Sequence, residues 1–295
     1  QAEHVGALLK AAHPGLAVEL VAVSTEGDRR LDVALSEIGG KGVFATEVQA
    51  ALLDGRADVA VHSAKDLPAV TGEGLLLAAV PERGDPRDAL VGSTLADLAP
   101  GAVVATGSAR RRAQLAALRP DLRFAELRGN MATRLAKADE FDAIVVAAVA
   151  FERLGMAEHL SEVLDETTMI PQVAQAALAI ECRDDDSETA ELLAAAEHAP
   201  SRRRVDAERA FLAELGGDCT LPAGAHAAFV GTDGVGNDGV DTDGALVLRG
   251  MLATGVGGHM VVQQRQEPAA MLAHSEAVES LGRELAAALR AECSR

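Results

Sequence analysis

A group of cations in an otherwise acidic chain is the first feature that could support chemistry. Between residues 101 and 153 there are nine Lys and Arg against six Asp and Glu, whereas the whole chain carries a formal charge of −18. Eight of the nine are Arg, whose planar guanidinium binds carboxylates through two parallel hydrogen bonds. Arg110–Arg112 follow Thr106 and Ser108 at a predicted strand-to-helix junction, where anions bind. The pattern favours a pocket for a small ligand rich in carboxylate or phosphate; each arginine alone would be an ordinary surface residue.

The second candidate is the segment HSAKDLP at residues 62–68, which begins at a predicted strand end and finishes at a proline turn. The carboxylate of Asp66 could accept N–H hydrogen bonds and stabilise a developing positive charge, with Lys65 beside it. The alternative is a turn residue with an ion-pair partner. Spacing alone leaves both interpretations open.

The third candidate is Cys219, which follows a predicted helix in the glycine-rich segment GGDCTLP. No cation lies next to it in sequence, and Asp218 should raise the pKa of its thiol, so an inert structural role is the alternative. The only other cysteines are Cys182 and Cys293. So sparse and odd a set favours a reducing compartment, and we predict a cytoplasmic protein.

Several other functions are disfavoured by composition and spacing. The acidic charge and 2% aromatic content argue against a nucleic-acid partner, and the absence of a long apolar run argues against a membrane span. Eight scattered His without helical pairing predict no metal. Residues 39–42 lack the full phosphate-loop pattern, and the glycine- and Asp-rich stretch 233–244 is interpreted as a solvated hairpin tip, although it contains GxGxxG spacing.

The elements that must position these residues alternate between strand-like and helical patterns over the first two thirds of the chain. This alternation predicts α/β layers with largely parallel strands, with ligands at the strand ends. After Cys219 the texture changes to antiparallel strands and then one long helix over residues 268–291. Ser201 is predicted to cap a helix. The predicted strands lie at residues 17–23, 59–62, 75–80, 103–105, 124–127, 143–147, 225–230, 245–252 and 259–264.

These segments together closely resemble the hydroxymethylbilane synthase family, also called porphobilinogen deaminase. The similarity follows the family's order over about residues 15–225, and several of its segments are long and specific. The matching segments are GGKGVF (39–44), RADVAVHSAKDLP (56–68), ERGDPRDA (82–89), SARRRAQL (108–115), RPDL (119–122), LRGNMATRL (127–135), FDAI (141–144), IECR (180–183), residues 153–155 and 208–209, and the loop around Cys219.

The resemblance implies an α/β protein of three domains, the first two like the halves of periplasmic binding proteins and joined by hinges. Domain 1 would comprise residues 1–81 plus 177–194, domain 2 residues 87–170, and domain 3, a small α+β domain with an antiparallel sheet, residues 199–295. Polar or proline-containing connectors at 81–87, 169–175 and 198–201 lie near these joints. The resemblance further implies a monomer.

The same resemblance implies a transferase of heme biosynthesis that joins four porphobilinogen molecules, with loss of ammonia, into hydroxymethylbilane. Its cofactor is a dipyrromethane held by a thioether, which falls on Cys219, and its catalytic aspartate falls on Asp66. Substrate carboxylates would bind Arg134 and Arg153. The remaining cofactor-binding positions implied are Ser63, Lys65, Thr106, Ser108, Arg110, Arg111, Arg128 and Gln175.

The sequence departs from the family pattern at four positions. Glu26 replaces an Arg, Ala174 and Ala176 replace two hinge glycines, and Asp218 replaces the Gly before the cysteine. Gln1 aligns with a glutamine that follows a strand and an Arg-x-Ser-x-Leu-Ala segment in the family, so we expect a leader beyond the sequence given. The competing hypotheses are a non-catalytic two-lobed anion-binding protein and a paralogue that folds but cannot load its cofactor.

Overall fold

The computed structural model describes residues 1–24, 45–216, 221–231 and 244–294, and within them the chain forms three β-sheets. Helices α1 (Ala2–Ala12) and α2 (Thr46–Leu53) precede strands β1 (Ala60–Ser63) and β2 (Leu75–Ala79). These strands flank β8 (Leu178–Arg183) in the order β1–β8–β2, so a return segment completes the first sheet. Helix α6 (Ser187–Leu193) follows β8.

The second sheet has the strand order β5–β4–β6–β3–β7 and belongs to the middle of the chain. Its strands are separated by short helices, and apolar runs such as Ala143–Ala147 are buried along their whole length because both faces are covered. The elements are β3 (Asp88–Val91), β4 (Val103–Ala105), α3 (Ala109–Leu118), β5 (Arg123–Ala125), α4 (Met131–Ala136), β6 (Ala143–Ala147), α5 (Ala148–Arg153) and β7 (Glu162–Val163).

The third sheet is an antiparallel meander, β9 (Ala223–Val230), β10 (Ala245–Ala253) and β11 (Met260–Pro268), packed against α7 (Ala199–Leu215) and α8 (Ser275–Cys293). Helices α7 and α8 pack very closely at Gly282, where a Cβ would lie 2.7 Å from the backbone nitrogen of Phe211. The core of this unit is continuous with buried residues of the first sheet and of the 173–177 segment. The cysteine-bearing part of the chain is therefore packed against the first domain.

The fold class predicted from the sequence is confirmed: two α/β units are followed by a small unit with an antiparallel sheet. Each sheet falls within one of the three predicted domain ranges, and the boundaries themselves stay a prediction. No helix among the described residues is both long and apolar enough to cross a membrane.

The prediction of largely parallel strands is wrong for the part of the chain that the structure describes. Strand β4 runs parallel to β5 and β6, but β8 is antiparallel to β1 and β2, and β3 is antiparallel to β6 and β7. The reason is that β3 and β8 follow the two connections between the domains. The direction in which each of them enters its sheet is set by that crossing and not by a strand–helix–strand repeat.

Three local predictions are also corrected. Residues 17–23 form no strand, and Leu20 and Val21 are exposed there. Helix α7 begins at Ala199, before Ser201, because Pro200 suits the first turn. The long final helix is interrupted: β11 extends to Pro268, a 3₁₀ turn spans Ala269–Ala273, and α8 begins only at Ser275.

Candidate active site

Asp66 lies directly after the end of β1, in a single 3₁₀ turn formed by Ala64–Asp66. Pro68 stops this turn, because a residue before proline prefers an extended backbone, and Leu67 has φ −74° and ψ 145°. Leu67 is buried and anchors the turn, while Asp66 is exposed. The sequence thus brings a carboxylate to the surface of a crevice at the end of a buried strand.

The environment of this carboxylate is crowded by protein on its other sides. Burial raises the pKa of Asp66, and the nearby charges of Lys65, Arg134 and His62 lower it. The net effect is a pKa above the ordinary value for Asp. Burial likewise lowers the pKa of Lys65, although Asp66 opposes that shift. The pair therefore consists of a weakened acid and a weakened base in contact with the crevice.

Lys65 connects this turn to the second crossing between the domains. Its Nζ donates to Gln175 Oε1 at 3.4 Å, and Gln172 Nε2 donates to the backbone carbonyl of Lys65 at 3.4 Å. Gln175 is fully buried, and its Nε2 donates to Pro86 O at 2.7 Å and to Asp88 Oδ1 at 2.9 Å. A continuous chain of polar contacts thus leads from the Asp66 turn to the start of β3.

Arg110 and Arg111 meet at the buried carboxylate of Asp88. Arg110 Nη1 donates to Asp88 Oδ2 at 2.7 Å, and Arg111 donates through Nε and Nη2 to Oδ1 at 3.0 and 2.7 Å. Burial would raise the pKa of Asp88, but the charges of Arg110 and Arg111 hold it well below its usual range. Because the carboxylate stays ionised, it permits two neighbouring guanidiniums to be buried.

Arg134 links this cluster to the catalytic candidate. Burial and the charge of Arg111 lower the pKa of Arg134, whereas Asp66 raises it, and Arg128 contributes a further cation nearby. Arg134 Nε is held by the carbonyl of Gly129 at 2.8 Å. The structure therefore brings together Lys65, Asp66, Arg110, Arg111, Arg134 and Gln175, with Arg128 beside Arg134.

The other residues named from the sequence lie around this group. Ser63 exchanges hydrogen bonds with Gln1. Thr106 Oγ1 accepts from the backbone N–H of Ser108, whose own hydroxyl caps α3. Arg153 is exposed and donates to the carbonyl of Ala176 at 2.8 Å. The described contacts of these side chains are with backbone and turn atoms and not with Asp66.

Cys219 lies outside the described residues, as do Glu26, Asp218 and residues 39–42 and 233–243 of the sequence predictions. The residues on either side of the cysteine segment are described. Leu221 and Leu212 line a small cavity together with Ser108 and Arg110. A Cβ on Gly224 would lie 2.9 Å from Arg110 Cδ, so β9 itself packs against this arginine.

Sequence reasoning did not single out three residues that organise the site: Asp88, Arg83 and Glu208. Glu208 Oε1 accepts from Arg83 Nη1 at 2.7 Å and from Ala227 N at 2.8 Å, while its Oε2 accepts from Arg83 Nη2 at 3.1 Å and Ala174 N at 2.6 Å. Arg83 Nε also donates to Gln175 O at 2.8 Å. The signal was present in the ERGDPRDA segment and in Glu208 beside Arg209, but nothing local pairs them.

The two alanines that replace family glycines have left-handed backbones. Ala174 has φ 57° and Ala176 has φ 69°, and they are the only non-glycine residues with positive φ among those described. The left-handed region costs an L-residue about 1–2 kcal/mol. Glu208 holds the backbone N–H of Ala174, and Arg153 and Gly84 N hold the carbonyl of Ala176. These contacts stabilise the strained segment.

Replacing either alanine by glycine is therefore expected to be nearly neutral. Relief of about 1–2 kcal/mol of strain offsets the lost methyl burial and the greater freedom of the unfolded chain. The control A179G, at an ordinary buried position of β8, should lower stability by about 1–2 kcal/mol because no strain is relieved. Urea midpoints followed by circular dichroism measure the difference. Equal losses in A174G, A176G and A179G would contradict the strain argument.

A polyanionic cofactor fits the residues present, on the evidence of unsatisfied donors. Arg110 is buried, and its Nε and Nη2 have no hydrogen-bond partner among the described residues. Buried donors without partners are costly, and guanidinium N–H groups are suited to carboxylate oxygens. Asp66, an acceptor, complements pyrrole N–H groups. The donor set therefore matches a pyrrole ligand that carries carboxylates.

Fold and site together define a three-domain α/β protein with an arginine-rich anion site facing a single carboxylate. Two family models match the chain: "Porphobilinogen deaminase, dipyromethane cofactor binding domain" over residues 1–191 and "Porphobilinogen deaminase, C-terminal domain" over residues 202–291. The chain belongs to the porphobilinogen deaminase family. The second match extends the family to the C-terminal part, where the sequence motifs were least specific.

Curated relatives agree over most of their length. Porphobilinogen deaminase of Nitratidesulfovibrio vulgaris is 47% identical over 266 residues, covering 88% of this chain and 80% of that protein. Porphobilinogen deaminase of Syntrophotalea carbinolica is 44% identical over 283 residues, covering 94% and 85%. Among solved structures, the methionine-binding protein MetQ aligns with 66% of this chain and 83% of its own at 15% identity and a TM-score of 0.42, too low to carry an argument.

Proposed function

We propose that this chain is a transferase that joins porphobilinogen molecules, with loss of ammonia, into hydroxymethylbilane, with Asp66 as its catalytic residue. The observation that carries the proposal is the arrangement of one exposed carboxylate beside Lys65 and Arg134, next to a buried arginine with open donors. The family to which the chain belongs supplies the reaction class.

Asp66 has the properties that this reaction requires. When ammonia leaves the aminomethyl carbon of porphobilinogen with the electron pair of the C–N bond, the positive charge that remains is shared with the pyrrole nitrogen. An ionised carboxylate that accepts the pyrrole N–H stabilises that charge as it develops. The crevice keeps most of the surrounding protein close, so the attraction is stronger than in bulk water.

The arginines bind the carboxylates of the ligand. Each porphobilinogen unit carries an acetate and a propionate group, so a growing chain gains two negative charges at every addition. Arg110 offers two open donors, and Arg134 lies between Arg111 and Asp66. Arg128, Ser108, Lys65 and Gln175 complete the proposed cofactor-binding set, with Thr106 and Ser63 at its edge and Arg153 as a proposed substrate contact.

Cys219 is the proposed point of covalent attachment. When bound, a dipyrromethane would supply the primer to which the first unit is added. Support comes from the flanking residues: α7 ends at Leu215 with a left-handed Gly216, and Leu221 shares a cavity with Arg110. The thiol-bearing segment thus begins and ends next to the arginine cluster.

The proposal also includes a location and an assembly state. Cys182 and Cys293, the described cysteines, are free, which agrees with a reducing compartment, and we place the protein in the cytoplasm. Its partner is the small-molecule substrate, and we expect it to act as a monomer without nucleic acid or membrane.

Intact-mass measurement of protein made in cells tests the proposal. The wild type should exceed the mass of the bare chain by the dipyrromethane increment, and Cys219→Ser should have the bare mass and no turnover, because the thioether requires the thiol. Cys293→Ser is the matched control and should remain loaded and active, since its thiol lies near the end of α8. A bare wild-type mass would favour the non-catalytic anion-binding hypothesis instead.

A further inference from the structure

We propose that Asp88 is a positioning residue: it neutralises one of two buried guanidiniums and turns the other, that of Arg110, into a site for a single ligand carboxylate. The inference rests on the proposed function, because the carboxylate in question is that of the pyrrole cofactor. Asp88 is the first residue of β3, where the chain enters the second domain, and it is fully buried.

The hydrogen bonds divide the two arginines into different roles. Arg111 is saturated: Nε and Nη2 donate to Asp88, and Nη1 donates to the carbonyl of Val145 at 2.9 Å. Arg110 uses only Nη1, which donates to Asp88 and to Ile170 O. Its Nε and Nη2 are buried without a partner among the described residues. Arg111 therefore supports the cluster, and Arg110 carries the open donors.

The charges lead to the same conclusion. Two guanidiniums and one ionised carboxylate leave one net positive charge in the cluster, enough to balance one additional carboxylate. Each buried donor left unsatisfied costs about 1–3 kcal/mol, so the arrangement is stable only with a binding energy to recover. The small cavity next to Arg110, lined by Ser108 and Leu221, adjoins the cysteine segment. The geometry points to one carboxylate of the tethered cofactor.

Asp88 also sets the distance from this anion site to the catalytic carboxylate. Its Oδ1 accepts from Gln175 as well as from Arg111, and Gln175 Oε1 accepts from Lys65, the neighbour of Asp66. Three separate segments of the chain, namely the start of β3, the first turn of α3 and the second crossing, converge on one carboxyl group. Removing its charge should loosen all three contacts at once.

The test compares the loading of wild type, Asp88→Asn, Asp88→Glu and Asp121→Asn by intact mass after expression in cells. Asp121 is the matched control because it forms an Arg pair, with Arg119 at 2.8 Å, on the surface of the same domain. We expect full loading of wild type and D121N and a loss to below about one tenth in D88N. D88E keeps the carboxylate and should retain about half or more.

Two outcomes of the loading test would overturn the proposal: D88N as fully loaded as wild type, or D88E loaded no better than D88N, which would mean that shape and not charge matters. A bare wild type would instead refute the proposed function. In that case the role of Asp88 is decided by melting curves, which do not depend on the cofactor.

The melting curves compare sulfate with chloride at equal ionic strength. D88N leaves two buried guanidiniums without a counter-ion, so sulfate should raise its melting temperature by about 5 °C more than that of wild type. Equal shifts would overturn the proposal. If D88N folds in neither salt, the double variant D88N/R110Q decides, because it removes one guanidinium together with the carboxylate. It is expected to fold, and failure to fold would count against charge neutralisation.

Discussion

Asp66→Asn is expected to lower turnover of porphobilinogen roughly 10²- to 10³-fold, the loss seen when one charge-stabilising group is removed from a preorganised site. The amide keeps the size of the side chain but cannot balance the positive charge left when ammonia departs. The covalent adduct should still be present by intact mass, since the thiol is untouched. Steady-state rates at saturating substrate measure the effect.

The control for this variant is Asp54→Asn, which removes an exposed carboxylate of the same domain that pairs with Arg56. It should leave turnover unchanged. A second check uses pH: because the pKa of Asp66 is raised, the wild-type rate should begin to fall at a higher pH than for an ordinary Asp as the solution is acidified. Undiminished turnover in D66N would remove Asp66 from the reaction.

Glu208→Gln is expected to destabilise the folded protein by about 3–5 kcal/mol, the cost of breaking a buried ion pair on one side only. Glu208 accepts four hydrogen bonds, from Arg83, Ala174 and Ala227, and both partners of the ion pair are almost completely buried. An amide would direct N–H groups toward donors and leave Arg83 without its counter-ion.

The chain contains neither Trp nor Tyr, so the loss is measured as a shift in the urea midpoint of the far-ultraviolet circular dichroism signal. The control is Glu279→Gln, which removes a surface pair with Arg283 at 2.9 Å and should change stability by less than about 1 kcal/mol. Similar midpoints for E208Q and E279Q would show that the Arg83–Glu208 pair does not hold the hinge and the third domain together.

Local patterns were sufficient for the elements and for the class of ligand. The apolar run at 143–147 is a strand, the stretch 46–53 is a helix, and the meander after the cysteine is antiparallel, as the sequence patterns predicted. Pro68 after the Asp66 turn predicts its end, because proline restricts the residue before it. The excess of Arg between residues 101 and 153 indicated an anionic ligand without any knowledge of the fold.

The sequence patterns could not decide which arginines face the ligand. Arg110, Arg111 and Arg112 are consecutive on α3, so successive side chains point about 100° apart. Arg112 turns away to the carbonyl of Thr106 and to Glu126, whereas Arg110 and Arg111 turn to Asp88. That choice depends on a carboxylate more than twenty positions away, which no local period encodes.

The sequence by itself therefore determined the secondary structure of most segments, the family, and a carboxylate at a strand end in an arginine-rich protein. Only the tertiary structure decided the rest: the buried counter-ion Asp88, the bridge from Lys65 through Gln175, the hub at Glu208 and the left-handed backbones at Ala174 and Ala176. The physical reason is that buried charges are stable only where partners from distant segments meet, and chain crossings set those meetings.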